Sequence, residues 1–396
     1  MRIALTDNMN NNFFALVRYL RDLGHDAELF LIPQSNHQHF LPEKDTYSDL
    51  SNASWLKSFP VTYKWSDSFK SKKRIRNTFK DYDLIISCGY STGLLYSAGI
   101  KTDIFIPYGS DLIHLPFISS EFINDSFSPK KLLKSPYSLY KSLIQKKGIQ
   151  ASNIIISNSN WLYAERALNK MDRQSLNLPR VMVYPEEPIE DDLEWKFLDG
   201  HDFTVFSPTR HLWKTNSEPV PDFEIYGGAK RNDKLIRAFK KLIELNIYSS
   251  PLLVLSDFGA DVQYSKDLIS ELEIENFVKW LPLLPRRSLV QGMSKVTFVA
   301  DQFRKGMSAT SAGTTNEALA MGVPVITNTD NAIFDPSDPY YGSPILEALE
   351  EKEILNYFTQ YDDNKKHFHE VGRQGKKWFS ENLGIGLVKK YLKHIE

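Results

Sequence analysis

The residues best suited to chemistry stand in one stretch, Gly313-Thr314-Thr315-Asn316-Glu317-Ala318-Leu319-Ala320-Met321-Gly322-Val323-Pro324-Val325-Ile326. It is glycine-led and polar up to Glu317, becomes helical, and closes through Gly322 and Pro324 into a strand. A helix that starts in this way exposes unpaired backbone N–H groups and the positive end of its dipole, which suits a diphosphate. Gly313, Thr314 and Thr315 are therefore candidate binding residues. Glu317, expected in the first turn, can accept two hydroxyl hydrogen bonds, as the vicinal diol of a ribose would offer. A first-turn glutamate also stabilises its own helix with no ligand. A second group is cationic. Arg210 follows a strand over residues 203–207, and Lys230 and Arg231 stand just before a helix that begins near Asn232 and Asp233. Charges at the mouths of two strand-to-helix loops of one sheet can converge on one diphosphate and stabilise charge on a departing nucleotide. Arginine brings planar bidentate contacts and lysine a mobile point charge. Scattered surface cations are common, so the pair alone does not make a site.

The elements that would hold these residues alternate strand and helix. Residues 2–5 form a short strand, 7–12 a polar loop, 13–23 a helix with Phe13, Leu16, Val17, Leu20 and Leu23 on one face, and 27–32 the next strand. Gly24 fits the left-handed position after that helix. The loop lacks the G-x-G-x-x-G pattern of a dinucleotide site. Further short apolar strands follow at 84–87, 102–106 and 153–157, then a helix at 161–168. A prolyl and acidic stretch around Pro185, Pro188 and residues 186–192 ends the first domain. The second domain opens with strand 203–207, and a loop with Pro208, Pro219 and Pro221 leads to helix 233–245. Strand 252–255, helix 266–271, strands 278–281 and 296–300, helix 315–321 and strand 325–326 follow, with a helical tail over 375–395 broken near Gly384 and Gly386. The expectation is an α/β protein with an N-terminal Rossmann-like domain over residues 1–195, a C-terminal one over 196–375, and a terminal helix over 376–396. Such sheets bind ligands beyond the carboxyl ends of their strands, which implies a central cleft where the two domains face each other.

Bulk properties narrow the classes. A chain of 396 residues exceeds what one hydrophobic core usually serves, so two domains are expected. The formal net charge of -1 gives no argument for a nucleic-acid partner. The single cysteine, Cys88, excludes an intramolecular disulfide framework and a cysteine-based zinc site. No basic segment leads into a long apolar run near the start, and no stretch reaches about 18 apolar residues. The expected location is the cytoplasm. Two basic runs are present, one from Lys70 to Lys80 and one over residues 130–147, where lysines interleave with Leu132, Leu133, Leu139 and Leu143. The second could lie against an anionic membrane, where a lipid-linked acceptor would arrive; a solvated helix face beside a core explains it equally.

Residues 200–335 resemble the donor domain of the retaining GT-B glycosyltransferases, specifically the GT4 group that includes bacterial polysaccharide and lipopolysaccharide enzymes. Arg210 and Lys230 resemble the family's Arg/Lys pair on the donor diphosphate. Ser256-Asp257-Phe258-Gly259 looks like its strand-to-glycine loop, and Val278-Lys279-Trp280-Leu281-Pro282 is similar to the segment whose backbone meets the base. Glu317 matches the second glutamate of the E-x7-E motif, the one associated with the ribose. The first domain matches more loosely, through its opening βαβ unit and Pro107-Tyr108-Gly109-Ser110-Asp111, and the terminal helix resembles the family's crossover onto the first domain. The sequence also departs from the pattern. Ala309 stands where E-x7-E places its first glutamate, and the segment from Arg304 to Ala312 is longer than the usual glycine loop. Asp301 is the nearest acidic candidate for the sugar contact. Arg231 follows Lys230 where the family prefers glycine, and the loop over residues 8–12 is asparagine-rich where many relatives carry glycines.

On the acceptor side the candidates are Asn10 and Asn11, whose amides can meet sugar hydroxyls, and Asp111 with His114. An Asx-type turn capping the next helix accounts for Asp111 as well. His211 adjoins Arg210, though a lone histidine is more often structural. The resemblance implies retaining transfer of a hexose-type sugar from a nucleotide sugar to a glycan or lipid-linked glycan acceptor. The leaving phosphate takes the acceptor's proton, so no glycosidase-like carboxylate pair is needed. No D-x-D motif stands in a suitable place, and Arg210 and Lys230 would replace a metal; no cofactor is expected. Two rival readings are a nucleotide-sugar epimerase, which would need a carboxylate acting on the sugar ring or on water, and a noncatalytic nucleotide-sugar-binding protein.

Overall fold

Alternation of short apolar strands with amphipathic helices builds two parallel sheets in a computed structural model of the chain, which describes residues 1–32, 41–46, 50–61, 71–117, 129–158, 162–186, 193–214, 228–306 and 313–395. Lys70, Pro188, Pro219, Pro221 and Ala309 lie outside the described residues, as do the side chains of residues 129–135. The chain divides into one unit of Met1–Tyr184 with Val388–Glu396 and a second of Pro185–Leu387.

In the first unit, β1 (Arg2–Thr6), α1 (Asn12–Asp22) and β2 (Asp26–Leu31) form the opening βαβ. Gly24 is left-handed at φ +83°, which a glycine adopts without strain. Then come β3 (Leu56–Ser58), α2 (Lys72–Phe79), β4 (Leu84–Ser87), α3 (Ser91–Ser97), β5 (Ile104–Phe105), α4 (Ser110–Ile113), α5 (Pro129–Ala151), β6 (Ile154–Ile155) and α6 (Leu162–Asn169). The parallel strand order is β3-β2-β1-β4-β5-β6. A buried Arg18–Asp45 ion pair at 2.6 Å secures α1 against the loop beyond β2.

The second unit repeats that order. Its elements are β7 (Phe203–Ser207), α7 (Asn232–Leu245), β8 (Pro251–Ser256), α8 (Val262–Glu271), β9 (Val278–Leu281), α9 (Arg286–Met293), β10 (Phe298–Ala300), α10 (Gly313–Met321), β11 (Val325–Thr327), β12 (Leu346–Glu347), α11 (Glu351–Gln360) and α12 (Lys365–Asn382). The sheet runs β12-β11-β10-β7-β8-β9, all parallel. Helix α7 shows why the pattern works: Leu235, Ile236, Phe239 and Leu242 recur at helical spacing and are buried against Phe203, Leu253 and Phe298. The burial of such faces supplies most of the folding free energy, at roughly 25 cal/mol per Å² of apolar surface.

Two local features position the site. Trp195 Nε1 donates to the Ser288 carbonyl at 3.0 Å, and its ring lies directly on Gly292 of α9, so α9 and its Arg286 are held by a glycine-aromatic contact. After α12 the chain breaks at Leu383 and Gly384 and resumes as α13 (Ile385–Lys393). A Cβ at Gly386 would stand 2.0 Å from the Glu381 carbonyl oxygen, so this sharp break requires glycine. The last nine residues then join the first unit, where the Tyr391 hydroxyl donates to the Pro179 carbonyl.

A Cβ on residue 292 would sit 2.0 Å from Trp195 Cζ2. Gly292→Ala should therefore destabilise the protein by about 1–3 kcal/mol. The check is a lower urea midpoint with an unchanged denaturant slope.

Candidate functional site

Strand order reverses between β7 and β10, and there the loops that leave the two carboxyl ends part to opposite sides. Asp301 follows β10 directly and is 2% exposed. Its Oδ1 accepts from the Thr209 hydroxyl at 3.1 Å, while its Oδ2 accepts from the Thr315 amide at 3.2 Å and the Thr315 hydroxyl at 2.6 Å. Thr315 is the third residue of α10, so Asp301 supplies from a distance the acceptor that a capping side chain would supply locally. Both Asp301 oxygens are thus engaged in anchoring. Gly313 opens α10 with nothing within 4 Å of the place a Cβ would occupy, and Thr314 is half-buried beside it.

This helix start corrects one expectation. Because α10 begins at Gly313, its first turn carries no acidic residue, and Glu317 lies a turn further in. Glu317 is 7% exposed, and its Oε1 accepts from Arg286 Nε at 2.9 Å. The capping carboxylate comes from Asp301 instead, which draws the helix start back toward the glycine.

Cations gather on the other side of Asp301. Lys230 Nζ donates to Gln302 Oε1 at 2.6 Å, and Arg304 Nε approaches the same oxygen at 3.3 Å. Burial lowers the Lys230 pKa to about 8; the Asp301 charge opposes that shift, and Arg304 and Arg210 add to it. Arg304 is lowered for the same first reason, burial, with Asp330 and Asp301 opposing. Arg210 is exposed and makes no hydrogen bond or ion pair among the described residues. Its guanidinium passes close to Gly228, with Nη2 3.2 Å from where a Cβ would be. The structure therefore brings Arg210, Lys230 and Asp301 together at the switch point. Sequence reasoning missed Gln302 and Arg304. The available signal was a run of polar residues directly after an apolar strand. Arg231 takes the left-handed conformation, φ +56°, that glycine adopts most easily, and its guanidinium grips Asp233 through two contacts of 2.9 Å. The arginine thus keeps a glycine-like backbone.

The loops beyond β7 and β8 interlock through His211. Its amide donates to the Phe258 carbonyl at 2.7 Å, and its carbonyl accepts from the Asp261 amide at 3.1 Å. Gly259, at φ +123°, leaves no space for a Cβ, which would stand 2.4 Å from the His211 amide nitrogen. The imidazole Nδ1 meets Ser265 Oγ at 2.7 Å, and that hydroxyl already accepts from Trp213 Nε1 at 2.9 Å. The ring lies 5.1 Å from that of Trp280, and Lys266 covers the Trp280 face at 5.1 Å. The Leu281 carbonyl is occupied by the Asp257 amide at 2.7 Å.

In the first unit the switch point lies between β1 and β4. Asp111, 3% exposed, accepts from the amides of Tyr108, Gly109 and Gly89. Burial pushes its carboxyl pKa up, and those three amides pull it down. Asp111 therefore ties the exit of β4 to that of β5. Asn10 and Asn11 are left-handed, at φ 54° and 57°. Asn11 is buried, accepting from Asn8 Nδ2 at 2.7 Å and donating to the Leu41 carbonyl at 3.0 Å, whereas Asn10 and His114 are exposed. Among the described residues no three His, Cys, Asp or Glu side chains gather as a metal site, and no helix is long and apolar enough to cross a membrane.

The architecture has counterparts among solved structures. Anabaena HepE in complex with UDP-glucose superposes with a TM-score of 0.57 at 14% identity, over 99% of this chain and 98% of that one. The fold is GT-B. An alpha-glucosyltransferase in complex with UDP-glucose and DNA containing an abasic site gives 0.58 at 11% identity, over 99% and 98%. A putative UDP-N-acetylglucosamine 2-epimerase from Listeria monocytogenes gives 0.54 at 10% identity, over 99% and 95%. No protein-family model and no curated protein sequence matches the chain.

Burial lowers the His211 pKa from 6.5 to about 4. A depressed folded-state value means stability that is full above about pH 6.5 and is lost as pH falls toward 4, by about 3 kcal/mol. Unfolding free energies measured across that window should show this acid limb, and His211→Gln should flatten it.

Proposed function

We propose that this protein is a retaining GT-B glycosyltransferase of the GT4 kind, which moves a hexose-type sugar from a nucleoside-diphosphate sugar to a glycan or lipid-linked glycan in surface polysaccharide synthesis. The observation that carries the reading is the gathering of Arg210 and Lys230, Arg210 in the loop after β7 and Lys230 in the loop before α7, within electrostatic reach of one another and of Asp301. Those groups suit a diphosphate leaving group. UDP is the first nucleotide to test, since HepE and the alpha-glucosyltransferase hold UDP-glucose.

In the proposed reaction the bond from the anomeric carbon to the β-phosphate oxygen breaks, and the acceptor oxygen bonds to that carbon from the same face. The acceptor's proton passes to the departing phosphate. Arg210 and Lys230 hold the diphosphate as its charge grows, which is the part a metal would otherwise play, so we propose a metal-independent transfer. Asp301 keeps α10 and the Arg210 loop in register through Thr315 and Thr209. Glu317, steadied by Arg286, is assigned to the ribose diol, and the Gly259 loop with Trp280 and Leu281 to the base. On the acceptor side the exposed Asn10 and His114 remain the candidates for direct contact. We further propose a cytoplasmic protein that meets anionic membrane through α5, on which Leu139 and Leu143 are 43% and 51% exposed and Lys147 is exposed nearby.

A panel of nucleotide sugars, incubated with the full chain in a chelator-containing buffer and read for donor hydrolysis and transfer, tests the reading. Arg210→Ala should lower turnover by about 10²–10³-fold with the fold intact. Wild-type protein that binds donor without transferring or hydrolysing it would leave a noncatalytic binder, and conversion of the sugar to an epimer would establish the rival enzyme.

Lys230 gives a pH signature. Its charge is present below about pH 8 and lost above it. Diphosphate affinity should therefore fall as pH rises through that value, and calorimetric titration of Lys230→Gln should show a weaker and flatter profile.

A further inference from the structure

The loop that leaves β11 closes on itself: the Gly342 amide donates to the Ile333 carbonyl at 2.9 Å, joining the ends of a compact segment over residues 333–342. Phe334 and Tyr341 are the next residues inward on either side of that bond. They are 65% and 53% exposed, more than any other large hydrophobic side chain among the described residues, and neither meets another ring there. The backbone beneath them is fixed. Asp335 Oδ1 accepts from the Ser337 amide at 2.9 Å and hydroxyl at 2.8 Å, and Asp338 Oδ1 accepts from the Tyr340 amide at 2.8 Å. Pro336 and Pro339 stiffen it further. Tyr340 is placed unlike its neighbour: it is 1% exposed, its ring lies 6.0 Å from that of Trp378, and its hydroxyl donates to Asn316 Oδ1 at 3.4 Å. The loop is thereby anchored to α10, the helix that Asp301 holds. Its entrance is tied to the same site, because the Asn328 amide donates to the Gln302 carbonyl at 2.9 Å and Asn328 Nδ2 to the Arg304 carbonyl.

Size and charge narrow what two exposed rings on a fixed loop would hold. Together they offer on the order of 200 Å² of apolar surface. A stable protein interface needs about 800 Å² from each partner. The patch has the size of a short run of sugar rings, whose C–H faces pack on aromatic rings while their hydroxyls bond to polar neighbours. No Lys or Arg occurs from Asn328 to Glu350, whereas Asp330 and Asp335 are exposed. The Ser337 amide and hydroxyl lower the Asp335 pKa, so that charge is present at neutral pH. An anionic lipid surface or an acidic saccharide is repelled there, and a neutral saccharide finds carboxylate acceptors for its hydroxyls. We propose that Phe334 and Tyr341 form a platform for a neutral saccharide chain, which holds the glycan acceptor beside the reaction site. The proposal rests on the transferase reading above and gives the chemical class of its acceptor.

The experiment probes a printed array of neutral and acidic microbial glycans with the full chain, and adds calorimetric titration of UDP and thermal unfolding for each variant. Wild type is expected to retain neutral glycans and to pass over those that carry uronic acids or phosphates. Phe334→Ala and Tyr341→Ala should each weaken the retained glycans roughly three- to tenfold and together abolish the signal. Phe334→Trp and Tyr341→Phe should keep it. UDP affinity and the unfolding temperature should stay at wild-type values, because both side chains are exposed. Retention of acidic glycans alone, or of none, by the wild type overturns the proposal, as does equal retention by the double alanine variant. Loss of UDP affinity in the alanine variants also overturns it, by placing the rings on the nucleotide. Donor turnover with glycan retention untouched by the variants overturns the platform alone. Ring-dependent glycan retention by protein that neither hydrolyses nor transfers any nucleotide sugar upholds the platform and overturns the transferase reading.

Discussion

Asp301 points one carboxylate oxygen at the loop leaving β7 and the other at the start of α10. Hydrogen bonds to an ionised acceptor are about twice as strong as neutral ones, so this buried group fixes two loops in register. Three arrangements depend on it. The first turn of α10 is held through the Thr315 amide and hydroxyl. Arg210 leaves the chain next to the tethered Thr209. Lys230 keeps an anionic neighbour that opposes the lowering of its pKa by burial.

The first unit uses the same device with different partners. Its sheet has the same strand order, and Asp111, also buried, joins the exits of β4 and β5 through three backbone amides. In both sheets, then, the carboxyl-end loops beside the switch point are braced by an aspartate. The consequences differ. In the second unit Asp301 takes up the Thr315 amide while Arg210 stays exposed, whereas in the first Asp111 is taken up by backbone amides and Asn11 by the Asn8 side-chain amide and the Leu41 carbonyl. Asn10 and His114 are exposed in that unit.

Much of the fold is legible in the sequence because buried parallel strands are short continuous apolar runs. Phe203–Ser207 and Leu84–Ser87 occupy the bounds their composition implies. Two of the edge strands are not legible. Leu56–Ser58 is mostly exposed and Leu346–Glu347 has only two residues, so neither shows a pattern. Helix Arg286–Met293 follows Pro282 and Pro285 and starts with polar residues, and what holds it is Trp195, far away in sequence. The site divides in the same way. Arg210, Lys230 and the glycine-led helix start can be read from residue types at strand ends. Gln302 and Arg304 acquire meaning only because β10 pairs with β7, which brings the loop after one strand beside the loop after the other. The anchoring role of Asp301 and the true start of α10 are hidden for one reason: the capping acceptor comes from another strand.

A crystal structure of the full chain with a bound nucleoside diphosphate tests the central claim most directly. The account predicts diphosphate oxygens within about 2.7–3.2 Å of the Arg210 guanidinium and Lys230 Nζ, next to the first amides of α10. A nucleotide bound elsewhere, with Lys230 still on Gln302 and Arg210 untouched, would contradict it.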